Sequence, residues 1–135
     1  MNFDNEKYKA SINFKIKTYE IDAAGHVNNI VYVKWLEDLR CKLFEQILPI
    51  DQLLKINLYP VVVSTNIEYK KQLKLNDNPT GIIRIENIPH NMIFFRIDFL
   101  LENKICATAF QKCVLMNLKS GTMDKSKLKF LEVRE

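Results

Sequence analysis

A single amphipathic segment constrains the fold of this chain more than any other feature. From Asn29 to about Leu48 the apolar residues recur at spacings of three and four, as one face of an α-helix requires. The first row of this pattern comprises Tyr32, Trp35, Leu36, Leu39, Leu43 and Ile47. A second row comprises Ile30, Val33, Cys41 and Phe44. The combined stripe is wider than that of a surface helix, which predicts that a sheet encloses this helix.

Both ends of the segment carry residues that are typical of helix termini. Asn28 or Asn29 can act as the N-cap, because an Asn side chain accepts a hydrogen bond from an amide of the first turn. Pro49 closes the segment, since proline cannot continue a helix. A short helical turn at about Asp51–Lys55 follows.

The remaining sequence predicts strands and turns. Within residues 8–18 the side chains alternate between apolar and polar from Ile12 onward, as in a half-buried strand. The later predicted strands are Val61 to about Leu73, Gly81–Ile88, Met92–Leu101 and Ile105 to about Leu118. Turn residues at 89–91 and 102–104 separate the last three, and the Lys-rich tail 122–135 is expected to be peripheral. The order β-α-β-β-β-β predicts an α+β fold with an antiparallel sheet wrapped around one long helix.

Size and composition restrict the class of protein. A length of 135 residues is enough for one compact domain, which we expect to span residues 1–135. The apolar runs are too short to span a bilayer, and the first residues do not form a secretory signal. The three cysteines lack the spacing of a metal site, which favours a reduced, cytoplasmic protein without a metal. The net charge of +4 suits an anionic small ligand and does not by itself indicate nucleic acid.

The loop before the long helix combines an acid, a glycine and a histidine. Asp22, Gly25 and His26 lie just ahead of the helix start, where free backbone N–H groups and the helix dipole favour negative charge. A carboxylate beside a site for a developing oxyanion is what acyl transfer requires. The loop is therefore a candidate active site.

Residues 22–37 resemble the signature of the hotdog-fold thioesterases of the 4-hydroxybenzoyl-CoA thioesterase type. The segment begins Asp22-Ala23-Ala24-Gly25-His26-Val27-Asn28-Asn29 and reaches Tyr32 within the helix. That family opens its central helix with an Asp, a Gly-His-Val-Asn-Asn-like run and a downstream Tyr. The resemblance covers about residues 10–118. It implies the hotdog fold and hydrolysis of an acyl-CoA thioester, with no cofactor or metal.

The resemblance and the local chemistry together suggest roles for five residues. Asp22 would attack the thioester carbonyl or deprotonate the attacking water, whereas its structural alternative is to cap a turn. His26 would orient the acid or the water, or polarise the carbonyl; the alternative is a structural hydrogen bond to the backbone. Gly25 would allow a positive φ or a close approach of the acyl group. One of Asn28 and Asn29 caps the helix, and the resemblance assigns the oxyanion to the amide of Asn29 and its neighbours.

Three further side chains are weaker candidates for the substrate pocket. Tyr32 faces either the core or the acyl group. Glu37 falls among apolar residues of the helix and is the reserve catalytic acid, because some relatives use a helix acid. Glu68 belongs to residues 66–77, which resemble the family's second recurring segment, an acid and an aromatic on a strand followed by a Gly-Asp turn. Asn76 replaces that glycine, and Asn also tolerates a positive φ.

The residue pattern and the resemblance also indicate the expected partners. Lys70, Lys71 and Lys74 could hold the phosphates of coenzyme A, although exposed lysines often form only a solvated surface. We expect a dimer or tetramer, because strand 105–116 is apolar on both faces and relatives pair their sheets edge to edge. No nucleic acid or membrane partner is expected. The alternatives are an acyl-carrier-protein thioesterase, a hotdog hydratase or dehydratase, and a non-catalytic acyl-CoA-binding module.

Overall fold

The computed structural model describes Phe3 and residues 6–124. Among these residues the strands are β1 (Lys9–Asn13), β2 (Leu58–Tyr69), β3 (Thr80–Asn87), β4 (Ile93–Leu101) and β5 (Lys104–Asn117). The helices are α1 (Asn29–Ile47) and α2 (Ile50–Lys55), with 3₁₀ turns at Glu6–Tyr8, Thr18–Glu20 and Pro89–Asn91. The predicted element order is confirmed. No helix in this part of the chain is long and apolar enough to cross a membrane.

The strands form one antiparallel sheet in the order β1-β3-β4-β5-β2. The strands β1 and β2 are therefore its two edges. Inward-facing residues of the central strands β3, β4 and β5 pack against α1 and form the core with it. This arrangement confirms the predicted sheet around one long helix.

The ends of α1 lie where the sequence predicts them. The side chain of Asn28 is the N-cap and accepts a hydrogen bond from the N–H of Ile30 at 3.1 Å. At the other end the N–H of Leu48 donates to the carbonyl of Phe44 at 2.7 Å, and Pro49 follows. Capping and the proline stop thus determine the length of the helix.

The two apolar rows of α1 have different environments. The first row, from Tyr32 to Ile47, is buried against the sheet. In the second row Phe44 is buried, but Ile30 is 66% exposed and Val33 is 51% exposed. The sheet thus encloses α1 as predicted but covers only part of the second row, and Ile30 and Val33 are exposed in the described part of the chain.

The predicted strand bounds differ from the structure at two strands. The strand predicted within residues 8–18 is limited to β1 (Lys9–Asn13), so Phe14 and Ile16 lie beyond its end. The second difference is at β2. This strand ends at Tyr69, whereas the sequence predicts an end at Leu73. Beyond it the N–H groups of Lys70 and Lys71 both donate to the carbonyl of Cys106, at 2.8 and 3.0 Å, so the chain leaves the ladder. Residues 70–73 then run beside the loop that precedes α1, since the N–H of Val27 donates to the carbonyl of Leu73 at 2.8 Å.

Gly81 on β3 is closely packed against α1 and Phe14. A Cβ added there would lie 2.8 Å from both Leu39 Cδ1 and Phe14 Cε2, and 3.2 Å from Phe99 Cε1. We expect Gly81→Ala to lower the free energy of unfolding by about 1–3 kcal/mol, because overpacking outweighs the gain in backbone rigidity. Denaturant unfolding would measure this, with Ser11→Ala on exposed β1 as the control. An unchanged midpoint for Gly81→Ala would contradict the close packing.

Candidate active site

The loop that precedes α1 is closed by backbone hydrogen bonds. The N–H of Asp22 donates to the carbonyl of His26 at 2.8 Å, and the N–H of Gly25 donates to the carbonyl of Asp22 at 3.0 Å. Gly25 has φ = +81°, and a Cβ there would meet no atom within 4 Å. Glycine is therefore needed for the backbone angle of this turn and not for packing.

The carboxylate of Asp22 is held at one oxygen only. Its Oδ1 accepts from the N–H of Ala24 at 3.0 Å and from the N–H of His26 at 3.1 Å. Asp22 thus caps this turn, as its structural alternative predicts. The side chain is exposed, and Oδ2 has no hydrogen-bond partner within residues 6–124. The carboxylate is oriented through one oxygen, and the other is accessible to a ligand.

Two neighbouring segments hold the loop in place. The N–H of Asn28 donates to the carbonyl of Glu20 at 2.9 Å, and His26 forms an isolated antiparallel bridge with Lys74. The imidazole of His26 is half-buried and makes no hydrogen bond to the described part of the chain. The loop is consequently attached both to the segment that follows β1 and to the segment that follows β2.

One backbone donor at the start of α1 is left without an acceptor. The N–H of Ile30 is used by the cap, the N–H of Val31 donates to the carbonyl of Asn28 at 2.9 Å, and that of Asn28 is bound to Glu20. The N–H of Asn29 has no acceptor among the residues that the structure describes. It lies at the positive end of a helix of 19 residues, where an anion is stabilised.

These groups meet in a cleft of about 240 Å³. The cleft is lined by Asp22, His26, Val27, Asn28, Asn29, Tyr32, Tyr69, Lys71, Gln72 and Leu73. Two tyrosines form one wall, with the rings of Tyr32 and Tyr69 in edge contact at 5.1 Å between centroids. Burial raises the pKa of both phenols, with nearby Cys106 adding to the effect on Tyr32, so both remain protonated at neutral pH.

The cleft does not include every candidate from the sequence. Lys71 lines it, but Lys70 and Lys74 do not. Glu37 is exposed and lies in a different groove, between α1 and residues 12–20. Glu68 is exposed on β2, opposite Thr108 of β5. The structure thus brings Asp22, His26, Asn28, Asn29, Tyr32 and Lys71 together, whereas the functional roles of these residues stay predictions.

Sequence reasoning did not assign Tyr69 and Gln72 to the site. Both come from the end of β2 and the residues after it, more than thirty positions beyond the start of α1 in the chain. The available signal was the aromatic residue in the segment 66–77, which resembles the family's second recurring motif. Within residues 6–124 no group of three or more His, Cys, Asp or Glu side chains is arranged to hold a metal ion.

The sequence profile of the thioesterase-like superfamily matches residues 16–133. The chain belongs to this superfamily. The match includes the loop, α1 and the whole sheet except β1. A comparison with curated proteins found no significant match.

Solved structures of thioesterases share the fold. A DHNA-CoA thioesterase from Staphylococcus aureus has a TM-score of 0.82 and 13% identity, covering 93% of this chain and 86% of its own. A gentisyl-coenzyme A thioesterase has a TM-score of 0.77 and 21% identity, with coverages of 89% and 99%. A thioesterase from Thermus thermophilus, complexed with coenzyme A and Zn, has a TM-score of 0.76 and 20% identity, with coverages of 90% and 88%. The hotdog fold predicted from the sequence is confirmed.

Proposed function

We propose that this member of the thioesterase-like superfamily hydrolyses an acyl-CoA thioester to a free acid and CoA. One observation carries the proposal: the accessible Oδ2 of Asp22 and the unpartnered N–H of Asn29 belong to residues that line the same cleft. A carboxylate beside a backbone donor is the pair of groups that acyl transfer needs. The names of the structural relatives, which include CoA thioesterases and a complex with CoA, support this substrate class.

The proposed reaction begins when the thioester carbonyl oxygen accepts a hydrogen bond from the N–H of Asn29. Asp22 Oδ2 then attacks the carbonyl carbon, or it takes a proton from a water that attacks. Negative charge develops on the carbonyl oxygen, where the helix dipole and the N–H group stabilise it. Collapse of the tetrahedral species breaks the C–S bond, and the CoA thiolate leaves and takes up a proton. In the covalent route water then hydrolyses the mixed anhydride and regenerates Asp22.

The other residues of the cleft support this reaction. His26 is half-buried and has no hydrogen bond from its ring to the described residues, so in our proposal it orients the water or the acyl carbonyl. The phenols of Tyr32 and Tyr69 remain protonated and form the wall against which the acyl group packs. Lys71 is the cation that lines the cleft, and we assign to it a contact with the anionic CoA moiety.

A substrate panel with a free-thiol readout tests the proposed function. We expect thiol release from acyl-CoA esters, and slower release from the same acyl groups on acyl carrier protein. Faster release from the carrier protein would assign the activity to the acyl-carrier-protein alternative. Tight binding of acyl-CoA without thiol release from any substrate would instead identify a non-catalytic binding module.

We also propose that the protein is a dimer joined through the edge strand β2, with each cleft near the boundary between subunits. The strand β2 is 12 residues long, and among the described residues it pairs only with β5, which leaves its other edge open there. Val61, Val63 and Tyr69 of this strand are exposed, as are Ile30 and Val33 of α1. A long apolar edge strand is a template for pairing with another chain. On β5 Thr108 and Val114 are buried within the chain, whereas Ile105 and Phe110 are exposed.

A charge on the exposed flank of α1 should separate the proposed dimer. We expect Val33→Asp to change a protein that is mainly dimeric at micromolar concentration into one that is mainly monomeric, because two buried carboxylates would oppose association. Sedimentation velocity would measure the change. Leu54→Asp, on exposed α2, is the control and should leave the dimer intact. A stable and active wild-type monomer at micromolar concentration would contradict the proposal.

A further inference from the structure

A cation lies between the helix and the sheet at some distance from the catalytic cleft. Arg40 lies on the flank of α1 that faces β2, and its Nη1 donates to Gln111 Oε1 of β5 at 2.7 Å. The Nε2 of the same amide donates to Thr65 Oγ1 of β2 at 3.0 Å. Gln111 is 2% exposed, so a buried amide holds the guanidinium in a defined orientation.

The row of β5 that holds the partner of Arg40 is otherwise apolar. Gln111 belongs to the inward-facing row of β5, between Ala109 and Cys113, and lies opposite Phe95 of β4. A buried amide in such a row is costly unless it is fully bonded, which here requires the arginine. Within residues 6–124 no carboxylate forms an ion pair with Arg40. Its remaining N–H groups are therefore available to a ligand.

An apolar strip connects the catalytic cleft with this arginine. Tyr69, which lines the cleft, lies opposite Ala107 on β5, and Thr65 lies opposite Gln111. The offset of four residues along the strands corresponds to about 13 Å. The rise along α1 from Tyr32 to Arg40 is about 12 Å, which agrees with the distance along the strands.

The side chains between the two ends of the strip are apolar. On β2 the intervening inward residue is Ile67, and its partner on β5 is the small Ala109. On α1 the exposed Val33 borders the same flank. An extended hydrocarbon group that starts in the cleft and follows this flank would contact Ile67 and Val33 before it reaches the guanidinium, whereas Ala109 is fully buried.

We propose that Arg40 binds a carboxylate at the far end of the acyl group, so that the preferred substrates are CoA thioesters of dicarboxylic acids. This inference rests on the proposed thioesterase function. A guanidinium binds a carboxylate through two parallel hydrogen bonds, and Gln111 holds that fork in place. The methylene chain occupies the apolar strip, so the best-fitting chain is one that spans about 12 Å, the rise along α1 from Tyr32 to Arg40.

Binding of non-hydrolysable ligands tests the inference without turnover. The probes are S-alkyl-CoA thioethers of increasing length that end either in a carboxylate or in a methyl group. We expect the wild type to bind the carboxylate form of the best-fitting length at least about 10-fold more tightly than its methyl counterpart. Arg40→Met and Arg40→Gln should lose this ratio, although Arg40→Gln keeps a hydrogen-bonding group near Gln111. Lys34→Met, which removes an exposed cation of α1 outside this network, should retain it.

Each outcome bears on the inference separately from the proposed function. Equal affinity of the wild type for both thioethers, or a ratio that survives both Arg40 variants, would overturn it. Weaker dimerisation of the Arg40 variants with an unchanged ratio would also overturn it, because Arg40 would then be an interface cation. Hydrolysis of acyl-CoA without any carboxylate preference would refute this inference but not the proposed hydrolysis. A carboxylate preference without thiol release would support it and refute the proposed hydrolysis.

Discussion

Replacing Asn29 by proline is expected to lower kcat by about 10²–10³-fold, whereas Asn29→Ala should retain most of the activity. Proline removes the one N–H at the start of α1 that has no acceptor in the described chain, and alanine keeps it. The fold should survive, because Asn29 is the first helical residue, where proline is common. The preceding Asn28 already has the extended backbone that a following proline requires, with φ = −66° and ψ = 138°.

Thermal unfolding provides the control for this comparison. Both Asn29 variants should unfold within a few degrees of the wild type, since the Asn28 cap and its bond from Ile30 are unaffected. Small and equal losses of kcat in two correctly folded variants would place the oxyanion at another donor.

Replacing Asp22 by asparagine should lower kcat by at least about 10²-fold. The Asn Oδ1 can still accept the two hydrogen bonds from Ala24 and His26, so the loop should keep its conformation. The accessible Oδ2 becomes an amide nitrogen, which is neither a base nor a nucleophile. Binding of acyl-CoA should change little, because the substitution removes a negative charge beside an anionic ligand. Steady-state thiol release and calorimetry would measure kcat and affinity.

Two variants serve as comparisons for Asp22→Asn. Glu37→Gln should have a mild effect, since Glu37 lies in a different groove from the cleft. His26→Ala should have a smaller effect than Asp22→Asn if the imidazole only orients the reacting groups. A near-native kcat for Asp22→Asn together with an inactive Glu37→Gln would assign the catalytic acid to the helix.

Local signals in the sequence were sufficient for the order of the elements and for both ends of α1. The capping of α1 by Asn28, the stop at Pro49 and the strong periodicity between them act within a few residues. The same holds for the turn after β2, where Asn76 adopts φ = +79° as expected of the residue that replaces glycine. The Pro89–Asn91 turn likewise places His90 at a positive φ. Such features depend on backbone sterics and short-range hydrogen bonds, and these can be predicted from neighbouring residues in a single sequence.

Features that depend on distant parts of the chain could not be predicted. Apolar periodicity identified Ile30 and Val33 but could not show that the sheet leaves them exposed. Tyr69 completes the cleft because the end of β2 lies beside the start of α1, where its ring contacts that of Tyr32. The bond between Arg40 and Gln111 joins residues 71 positions apart, and no local pattern encodes it. These contacts depend on the order of strands in the sheet, which the family resemblance implied and the residue pattern left open.

A single-turnover reaction in heavy-oxygen water tests the central claim most directly. Protein in excess over acyl-CoA would be quenched, and the products and the Asp22 peptide would be weighed by mass spectrometry. We expect free CoA thiol, free acid and one heavy oxygen. Heavy oxygen in the Asp22 carboxylate requires covalent attack, followed by water opening the mixed anhydride at the Asp22 carbon. Heavy oxygen in the acid results from activated water or from water attack at the acyl carbon of that anhydride. Acyl-CoA recovered intact, or acyl-CoA that has gained water with its thioester unbroken, would contradict the assignment as a thioesterase.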